Sequence, residues 1–266
     1  MKEAIFEIRE NKKIARNTYE MVLAGDTTAI KKPGQFVNLK LEGFFLRRPI
    51  SVCDYETGSA HRDGRGAVEQ APAGSAAQGR LTLVYKAVGE GTEKMAALGA
   101  GTQLSVLTGL GNGYAQEKAG DAPVLIGGGA GIPPMYALCK ALMASGGKKV
   151  QVILGFNTKD EIFYQEKFEA LGAEVHVATA DGSVGEKGFV TDVLAKLEYT
   201  YFYACGPLPM LRAIEKTAKS GGEYSFEERM GCGFGACMGC SMKMADGSYK
   251  RVCKEGPVFG REEIAW

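Results

Sequence analysis

The sequence of 266 residues contains no run of about 18 consecutive apolar residues, which a membrane-spanning helix would need. It also has almost no net charge, because 32 lysines and arginines stand against 31 aspartates and glutamates. This balance gives no reason to expect a nucleic acid or an anionic membrane as a partner. What remains is an ordinary globular composition, with 45% hydrophobic and 24% charged residues, long enough for one large or two small domains.

Histidine is scarce, and the two that occur, His61 and His176, do not form a pair at metal-ligand spacing. Residues 1–10 alternate apolar and charged side chains, so they predict a first β-strand and lack the continuous apolar segment of a secretion signal.

The cysteine count is seven, and four of these cysteines are clustered near the C-terminus. An odd count, clustering and the lack of a signal together indicate a reducing cytoplasm.

The most informative feature is the spacing of those four cysteines. Cys232, Cys237, Cys240 and Cys253 follow the pattern C-x4-C-x2-C, then twelve residues, then C. This is the spacing of a plant-type [2Fe-2S] cluster, in which one tight loop supplies three thiolates and a separate strand supplies the fourth. The pattern therefore predicts one-electron chemistry in this part of the chain.

Glycines surround the cysteines at positions 231, 233, 235 and 239. They are expected to permit positive φ angles and a close approach of backbone N–H groups to an anionic cluster. A structural zinc site is the main alternative, although zinc ribbons favour two separated C-x2-C pairs. A redox C-x-x-C at Cys237 and Cys240 is a poorer interpretation, because no thioredoxin-like βαβ context surrounds it.

The remaining sequence divides into two patterns. Up to about residue 106, short alternating runs such as 36–41 and 81–86 are separated by glycines and predict an antiparallel β-barrel. Residues 58–79 lack periodicity and predict a long, mobile hairpin connection. From about residue 123 to 220, apolar strands alternate with helical segments, which predicts a doubly wound parallel α/β sheet.

In detail, the α/β pattern predicts strands at 124–126, 150–154, 174–178 and 201–204, and helices at 135–144, 162–171, 190–197 and 209–219. The predicted fold class is thus multidomain β and α/β. It has a barrel domain at 1–110, an α/β domain at 111–222 and a small cysteine-rich domain at 223–266.

Two glycine turns follow predicted strands of the sheet. The first is GGGAGIPPM at residues 127–135, and the second is CGPLPM at residues 205–210. Such turns at the carboxyl ends of parallel strands let backbone N–H groups and a helix N-terminus bind a dinucleotide pyrophosphate. The first run is not a strict G-x-G-x-x-G, so taken alone it is equally compatible with a simple tight turn.

These motifs, in their order and separation, resemble the nicotinamide-binding half of the ferredoxin-NADP reductase superfamily. The barrel half resembles it too, through PGQF at 33–36, RPIS at 48–51 and GEGT at 89–92. The resemblance implies that Arg48 pairs with a flavin pyrophosphate, that Ser51 lies near the flavin N5, and that a Gly-Thr turn supports the phosphates. Ile50 replaces the stacking tyrosine of the family, so apolar contact is expected there instead.

Residues 225–240 and 252–259 narrow the resemblance to the electron-transfer subunit of NAD-dependent dihydroorotate dehydrogenase. That family implies FAD, one [2Fe-2S] cluster, NAD as co-substrate and an FMN-bearing catalytic subunit as partner, in a heterotetramer of two of each. The implied flavin contacts are Arg48, Pro49, Ile50, Ser51, Val84, Tyr85, Lys86, Gly91 and Thr92. The implied nicotinamide contacts are Gly128, Gly129, Gly131, Cys205 and Gly206, and the implied cluster ligands are the four cysteines named above.

The resemblance leaves two readings of Cys205, which is either a contact of the nicotinamide or a buried thiol at a strand end. Cys53 and Cys139 are expected to be core residues. Phe234 and Met238 are candidate partner contacts, with packing beneath the cysteine loop as the alternative. Residues 155–161 contain no arginine and two acids, which favours NAD over NADP.

Three functions are compatible with the sequence. The first is electron transfer from dihydroorotate oxidation through the cluster and FAD to NAD⁺. This order follows from redox chemistry, because a flavin exchanges electrons both singly and in pairs. The second is a related ferredoxin/NAD(P) or sulfide dehydrogenase-type reductase subunit. The third is a colourless binding module whose tail holds structural zinc.

Overall fold

The computed structural model describes residues 1–58 and 78–266. Six antiparallel strands close into the predicted barrel in the order β1-β2-β5-β4-β3-β6. They are β1 (Lys2–Ala15), β2 (Thr18–Gly25), β3 (Phe36–Leu39), β4 (Arg48–Glu56), β5 (Gly79–Lys86) and β6 (Gln103–Leu110). Alternating apolar residues such as Phe6, Ile8 and Leu83 fill the barrel interior, and the short helix α1 (Glu90–Ala96) follows β5.

The predicted connection at 58–79 joins β4 to β5, and these strands pair antiparallel as a hairpin. The interior of the connection, together with His61, lies outside the described residues. Where the chain is described, no helix is both long and apolar enough to cross a membrane.

The predicted α/β sheet has seven strands, of which six follow the order β10-β9-β8-β7-β11-β12 and the seventh, β15 (Val258–Gly260), lies next to β12. The first six are parallel: β7 (Val124–Gly128), β8 (Gln151–Phe156), β9 (Glu174–Thr179), β10 (Glu186–Lys187), β11 (Phe202–Cys205) and β12 (Gly222–Ser225). The helices are α2 (Ile132–Ala144), α3 (Gln165–Ala170), α4 (Val190–Leu194) and α5 (Leu208–Thr217). Helix α3 is shorter than predicted, because Tyr164 adopts a left-handed conformation with φ of 68°.

The tail contributes a small hairpin, β13 (Ser241–Lys243) and β14 (Tyr249–Arg251), and then β15 (Val258–Gly260). Strand β15 pairs antiparallel with β12, so the chain after the last cysteine returns to the edge of the α/β sheet. Asn112, which follows the barrel, fixes this strand. Its Nδ2 donates to Val258 O at 2.7 Å and its Oδ1 accepts from Val258 N at 3.1 Å. The boundaries 1–110, 111–222 and 223–266 stay a prediction.

Candidate functional site

The four cysteines of the tail lie as two pairs. The backbone N–H of Cys232 and the Sγ of Cys237 are 3.4 Å apart, as are Cys237 N–H and Cys232 Sγ. The second pair is Cys240 and Cys253, with Cys253 N–H donating to Cys240 Sγ at 3.4 Å. In the part of the chain that the structure describes, no three Cys, His, Asp or Glu side chains gather around a single metal ion. A two-iron cluster takes two thiolates on each iron, and the two cysteine pairs are compatible with this arrangement.

The loop stabilises a negative charge on Cys232. Its Sγ accepts hydrogen bonds from the N–H groups of Phe234, Ala236 and Cys237 at 3.5, 3.2 and 3.4 Å. Burial tends to raise the pKa of Cys232, but these donors outweigh burial and lower the pKa to about 6. The thiolate is the form that binds metal, so the loop suits a cluster ligand.

The glycines of the loop act in two ways. Gly233 and Gly235 have φ of 77° and 93°, as predicted. Gly231 and Gly239 do not have positive φ, and the non-glycine residue Met238 has φ of 61°. An added Cβ on Gly231 would lie 3.2 Å from Cys237 Sγ, which is a tight contact, whereas at Gly239 the distance would be 3.6 Å, which is an ordinary one.

The cysteine loop touches the barrel beside the flavin motif. Asn38 of β3 lies opposite Pro49 of β4, and its Nδ2 donates to Cys232 O at 3.2 Å. Asn38 is 1% exposed, and its Oδ1 is buried without a hydrogen-bond partner. A flavin ring carries N–H donors, so an unpaired buried acceptor between the motif and the loop is compatible with a bound flavin.

Arg48 and Gly91 are brought into contact, as the predicted phosphate site requires. The Arg48 guanidinium lies 4.5 Å from the Phe44 ring centroid and donates to Leu46 O at 2.6 Å. An added Cβ on Gly91 would lie 2.0 Å from Arg48 Nε, so only a glycine allows this approach. A guanidinium held against a glycine turn suits phosphate oxygens.

The other predicted flavin contacts do not share one face of the barrel. Ile50 lies opposite Val37 and packs against the barrel core, so the side chains of Pro49 and Ser51 face the other side of β4. Tyr85 is buried in the barrel, where its hydroxyl donates to Asn11. Two further predicted contacts are Val84, which packs in the core of the α/β part, and Thr92, whose Oγ1 accepts from Val88 N and Gly89 N and caps α1.

A cavity of about 650 Å³ lies at the carboxyl ends of β7, β8 and β11. Among its lining residues are Gly128 and Gly129, which are predicted nicotinamide contacts, and Lys86, which the resemblance assigns to the flavin instead. An added Cβ on Gly129 would lie 3.6 Å from Lys86 Nζ, so a positive charge stands at the first glycine turn. The turn leads into α2, whose second and third residues are prolines without N–H donors. The two prolines leave fewer backbone N–H groups for a pyrophosphate at this helix start, and the Lys86 ammonium supplies a further donor.

The other predicted nicotinamide contacts do not line this cavity in the described residues. Gly131 lies against strand β11, where an added Cβ would be 2.1 Å from Cys205 O. Gly206 packs against Met210, and Cys205 is 1% exposed. Burial raises the pKa of Cys205, which keeps it a neutral thiol. Of the two interpretations of Cys205, this environment agrees with a buried thiol at a strand end. Cys53 and Cys139 are likewise in the core.

The cavity also contains residues beyond the predicted contacts, some of them in the segment 155–161 that favours NAD over NADP and one in the tail. Glu161 accepts from Lys86 at 3.4 Å and from Asn157 at 3.2 Å, and all three line the cavity. Glu227 lines it from the tail, and burial raises the pKa of its carboxyl. Nothing in the local sequence distinguishes Glu227 from Glu228, because only the return of the tail along the sheet places it there.

Solved structures with this fold define the class of protein. The structure described as an NADH-dependent reduced ferredoxin-NADP oxidoreductase is 28% identical, with a TM-score of 0.80, covering 98% of this chain and 90% of that chain. A ferredoxin NADP⁺ reductase from Neisseria gonorrhoeae with bound FAD and NADP is 18% identical, with a TM-score of 0.61 over 82% of this chain and 90% of that one. The chain thus has the fold of flavin- and nicotinamide-dependent ferredoxin reductases.

Family models and curated relatives narrow the class. Residues 227–265 match the iron-sulfur cluster binding domain of dihydroorotate dehydrogenase B, and residues 125–216 match the oxidoreductase NAD-binding domain. Proteins from Bacillus cereus (strain G9842) and Bacillus mycoides (strain KBAB4), named dihydroorotate dehydrogenase B (NAD(+)), electron transfer subunit, are each 43% identical over 95% of both chains. The chain belongs to this family of electron transfer subunits.

Proposed function

We propose that this chain carries electrons from dihydroorotate oxidation in a catalytic partner subunit to NAD⁺, through a [2Fe-2S] cluster and FAD. The observation that carries the proposal is the contact between the cysteine loop and the barrel. Asn38 joins the loop to β3, directly beside the Arg48–Ser51 segment of β4. A cluster in the loop and a flavin on this segment would be neighbours, as electron transfer requires.

Each bound group has residues suited to it. The four cysteines would hold the cluster as two pairs, with Cys232 stabilised as a thiolate. Arg48 and the turn at Gly91 would bind the flavin pyrophosphate, with Pro49 and Ser51 beside the ring. Lys86 and the turn at Gly128 and Gly129 would bind the dinucleotide in the cavity.

The flavin, when bound, supplies the exchange between single electrons and hydride. The residues of the chain bind and order the three groups. Strand β4 carries the flavin motif, and its neighbour β5 ends at Lys86 in the nucleotide cavity. On the other side of β4, β3 contacts the cysteine loop. The groups would therefore lie in the order cluster, flavin, nicotinamide.

The partner is proposed to be the FMN-bearing catalytic subunit, in a heterotetramer of two of each chain. The family name, electron transfer subunit, supports the existence of a catalytic partner. Phe234 and Met238 beside the exposed Cys237 are 43% and 53% exposed, and they form a candidate contact surface.

The free thiols need a reducing compartment, for which we propose the cytoplasm.

The test is reconstitution. Purified anaerobically, the chain should show the visible absorption bands of a flavin together with the broad absorption of an iron-sulfur cluster. Mixed with an FMN-containing dihydroorotate dehydrogenase, it should reduce NAD⁺ only when dihydroorotate is supplied. A colourless, zinc-loaded protein would overturn the proposal.

The second candidate is a ferredoxin/NAD(P) reductase subunit. It is favoured by the TM-score of 0.80 with the structure of the NADH-dependent reduced ferredoxin-NADP oxidoreductase. This candidate would be supported if the chain binds flavin and cluster and exchanges electrons between NADH and ferredoxin, but does not reduce NAD⁺ with dihydroorotate when the FMN-containing subunit is added.

A further inference from the structure

The amide of Asn38 links two parts of the chain that are 194 residues apart in sequence. Asn38 is on the outer face of β3, and its side chain is almost completely buried between the barrel and the cysteine loop. Its Nδ2 donates to Cys232 O at 3.2 Å. Rotating the amide by half a turn would place Oδ1 against the carbonyl oxygen, so the contact fixes which way the amide faces.

Asn38 also contacts the residue that begins the turn. An added Cβ on Gly233 would lie 2.4 Å from Asn38 Nδ2, and Gly233 has φ of 77°. The peptide between Cys232 and Gly233 is thus held by a hydrogen bond on its carbonyl side and by close packing on its amide side. The N–H groups that follow, of Phe234 and Ala236, donate to Cys232 Sγ.

We propose that Asn38 is a positioning residue that tunes the iron-sulfur cluster from the flavin barrel. By fixing the Cys232 peptide, it aims the N–H groups of the turn at a ligand sulfur. Hydrogen bonds to cluster sulfurs stabilise the more negative, reduced cluster and so raise its reduction potential. The proposal rests on the proposed function, because it requires a cluster in the loop.

Asn112 provides a matched control. It is also an asparagine that joins the barrel to the tail, through its two hydrogen bonds to Val258. The Asn112 side chain bonds to strand β15 of the sheet. Among the described residues it makes no hydrogen bond to the cysteine loop. Loss of Asn112 would loosen the docking of the tail without disturbing the peptide of Cys232.

The experiment compares Asn38→Leu and Asn112→Leu in the purified chain carrying FAD and cluster. A reductive titration followed by electron paramagnetic resonance measures the midpoint potential and g-values of the cluster. Asn38→Leu should shift the potential to more negative values and alter the g-values, whereas Asn112→Leu should leave both unchanged. Asn38→His, which retains an N–H donor at similar reach, should restore the wild-type values.

Several outcomes would overturn the proposal. Unchanged potential and g-values in Asn38→Leu would remove the tuning role, and equal shifts in both leucine variants would show that docking alone matters. If Asn38→Leu does not retain its cluster, Asn38→Ser, which is too short to reach Cys232 O, should show the same negative shift. A wild-type chain without an iron-sulfur signal would overturn the proposed function itself, whereas an unchanged Asn38→Leu leaves that function intact.

Discussion

At the residue scale, Glu20 is a buried carboxylate where the barrel meets the α/β part. Its side chain is 6% exposed, and it accepts hydrogen bonds from the Tyr164 hydroxyl and from Lys167 Nζ, with Lys12 Nζ 3.6 Å away. Burial tends to raise the pKa of Glu20, but the bonds from Lys167 and Tyr164 outweigh burial and lower it. The charged form of Glu20 therefore stabilises the packing of α3 on β2.

The lowered pKa gives a pH dependence with a defined sign. A carboxyl whose pKa is lower in the folded state contributes stability above its unfolded pKa of about 4.5, and this contribution is lost as the pH falls further. Glu20→Gln should lower the free energy of unfolding by about 1–3 kcal/mol at pH 7. The difference from wild type should shrink below about pH 4.5.

Urea unfolding of both proteins at pH 7 and pH 4 measures this difference. A Glu20→Gln effect of the same size at both values would contradict the account. Glu56→Gln is a suitable control, because the Glu56 side chain is 55% exposed and its ion pairs with Arg80 and Lys140 are long, at 3.5 and 3.8 Å.

Single residues also show what sequence can and cannot predict. The loop that brings Cys232 and Cys237 together was predictable because the spacing of these cysteines is local. The contact of Asn38 with Cys232 was not, because it depends on how β3 packs against a loop 194 positions later. Likewise, alternation along β4 gives Ile50 an orientation, but only the pairing with Val37 shows that it faces the barrel core.

At the scale of elements, the start of helix α2 depends on its approach to strand β11. An added Cβ on Gly131 would lie 2.1 Å from Cys205 O and 2.6 Å from Gly206 N, both of them backbone atoms. Gly131→Ala should therefore separate the helix from the strand, destabilise the fold by about 1–3 kcal/mol and weaken NADH binding at the adjacent cavity. Thermal unfolding and a titration with NADH measure the two effects.

Gly99→Ala is the control for this substitution, because an added Cβ there meets nothing within 4 Å. It should leave both the melting temperature and the affinity for NADH close to wild type. Equal effects of the two alanine variants would show that the close contact of α2 with β11 is unimportant.

Elements with strong periodicity were predictable, including the barrel strands and the central strands of the sheet. Strand β12 was not predicted, because its apolar pattern is short, and β15 was placed with the cysteine tail. Its pairing with β12 depends on Asn112 and on the long return of the chain, which no local pattern records. For the same reason, the position of Glu227 at the cavity became visible only in three dimensions.

At the scale of the whole molecule, the barrel lies between the cysteine loop and the cavity of the α/β part. One side of the barrel contacts the loop through Asn38, and the end of β5 reaches the cavity through Lys86. This arrangement predicts two separable activities. Exchange of electrons with a partner requires the loop, whereas oxidation of NADH by an artificial acceptor requires only the flavin and the cavity.

The measurement that tests this central claim most directly uses Cys237→Ser in the FAD-loaded chain, with Cys139→Ser as a matched change at a buried cysteine without an assigned role. Both variants are assayed for dihydroorotate-dependent NAD⁺ reduction with the catalytic partner, and for NADH oxidation by ferricyanide. We expect Cys237→Ser to abolish the first activity and keep the second, and Cys139→Ser to keep both. Loss of both activities in a folded, FAD-loaded Cys237→Ser variant, or survival of both, would contradict the order cluster, flavin, nicotinamide.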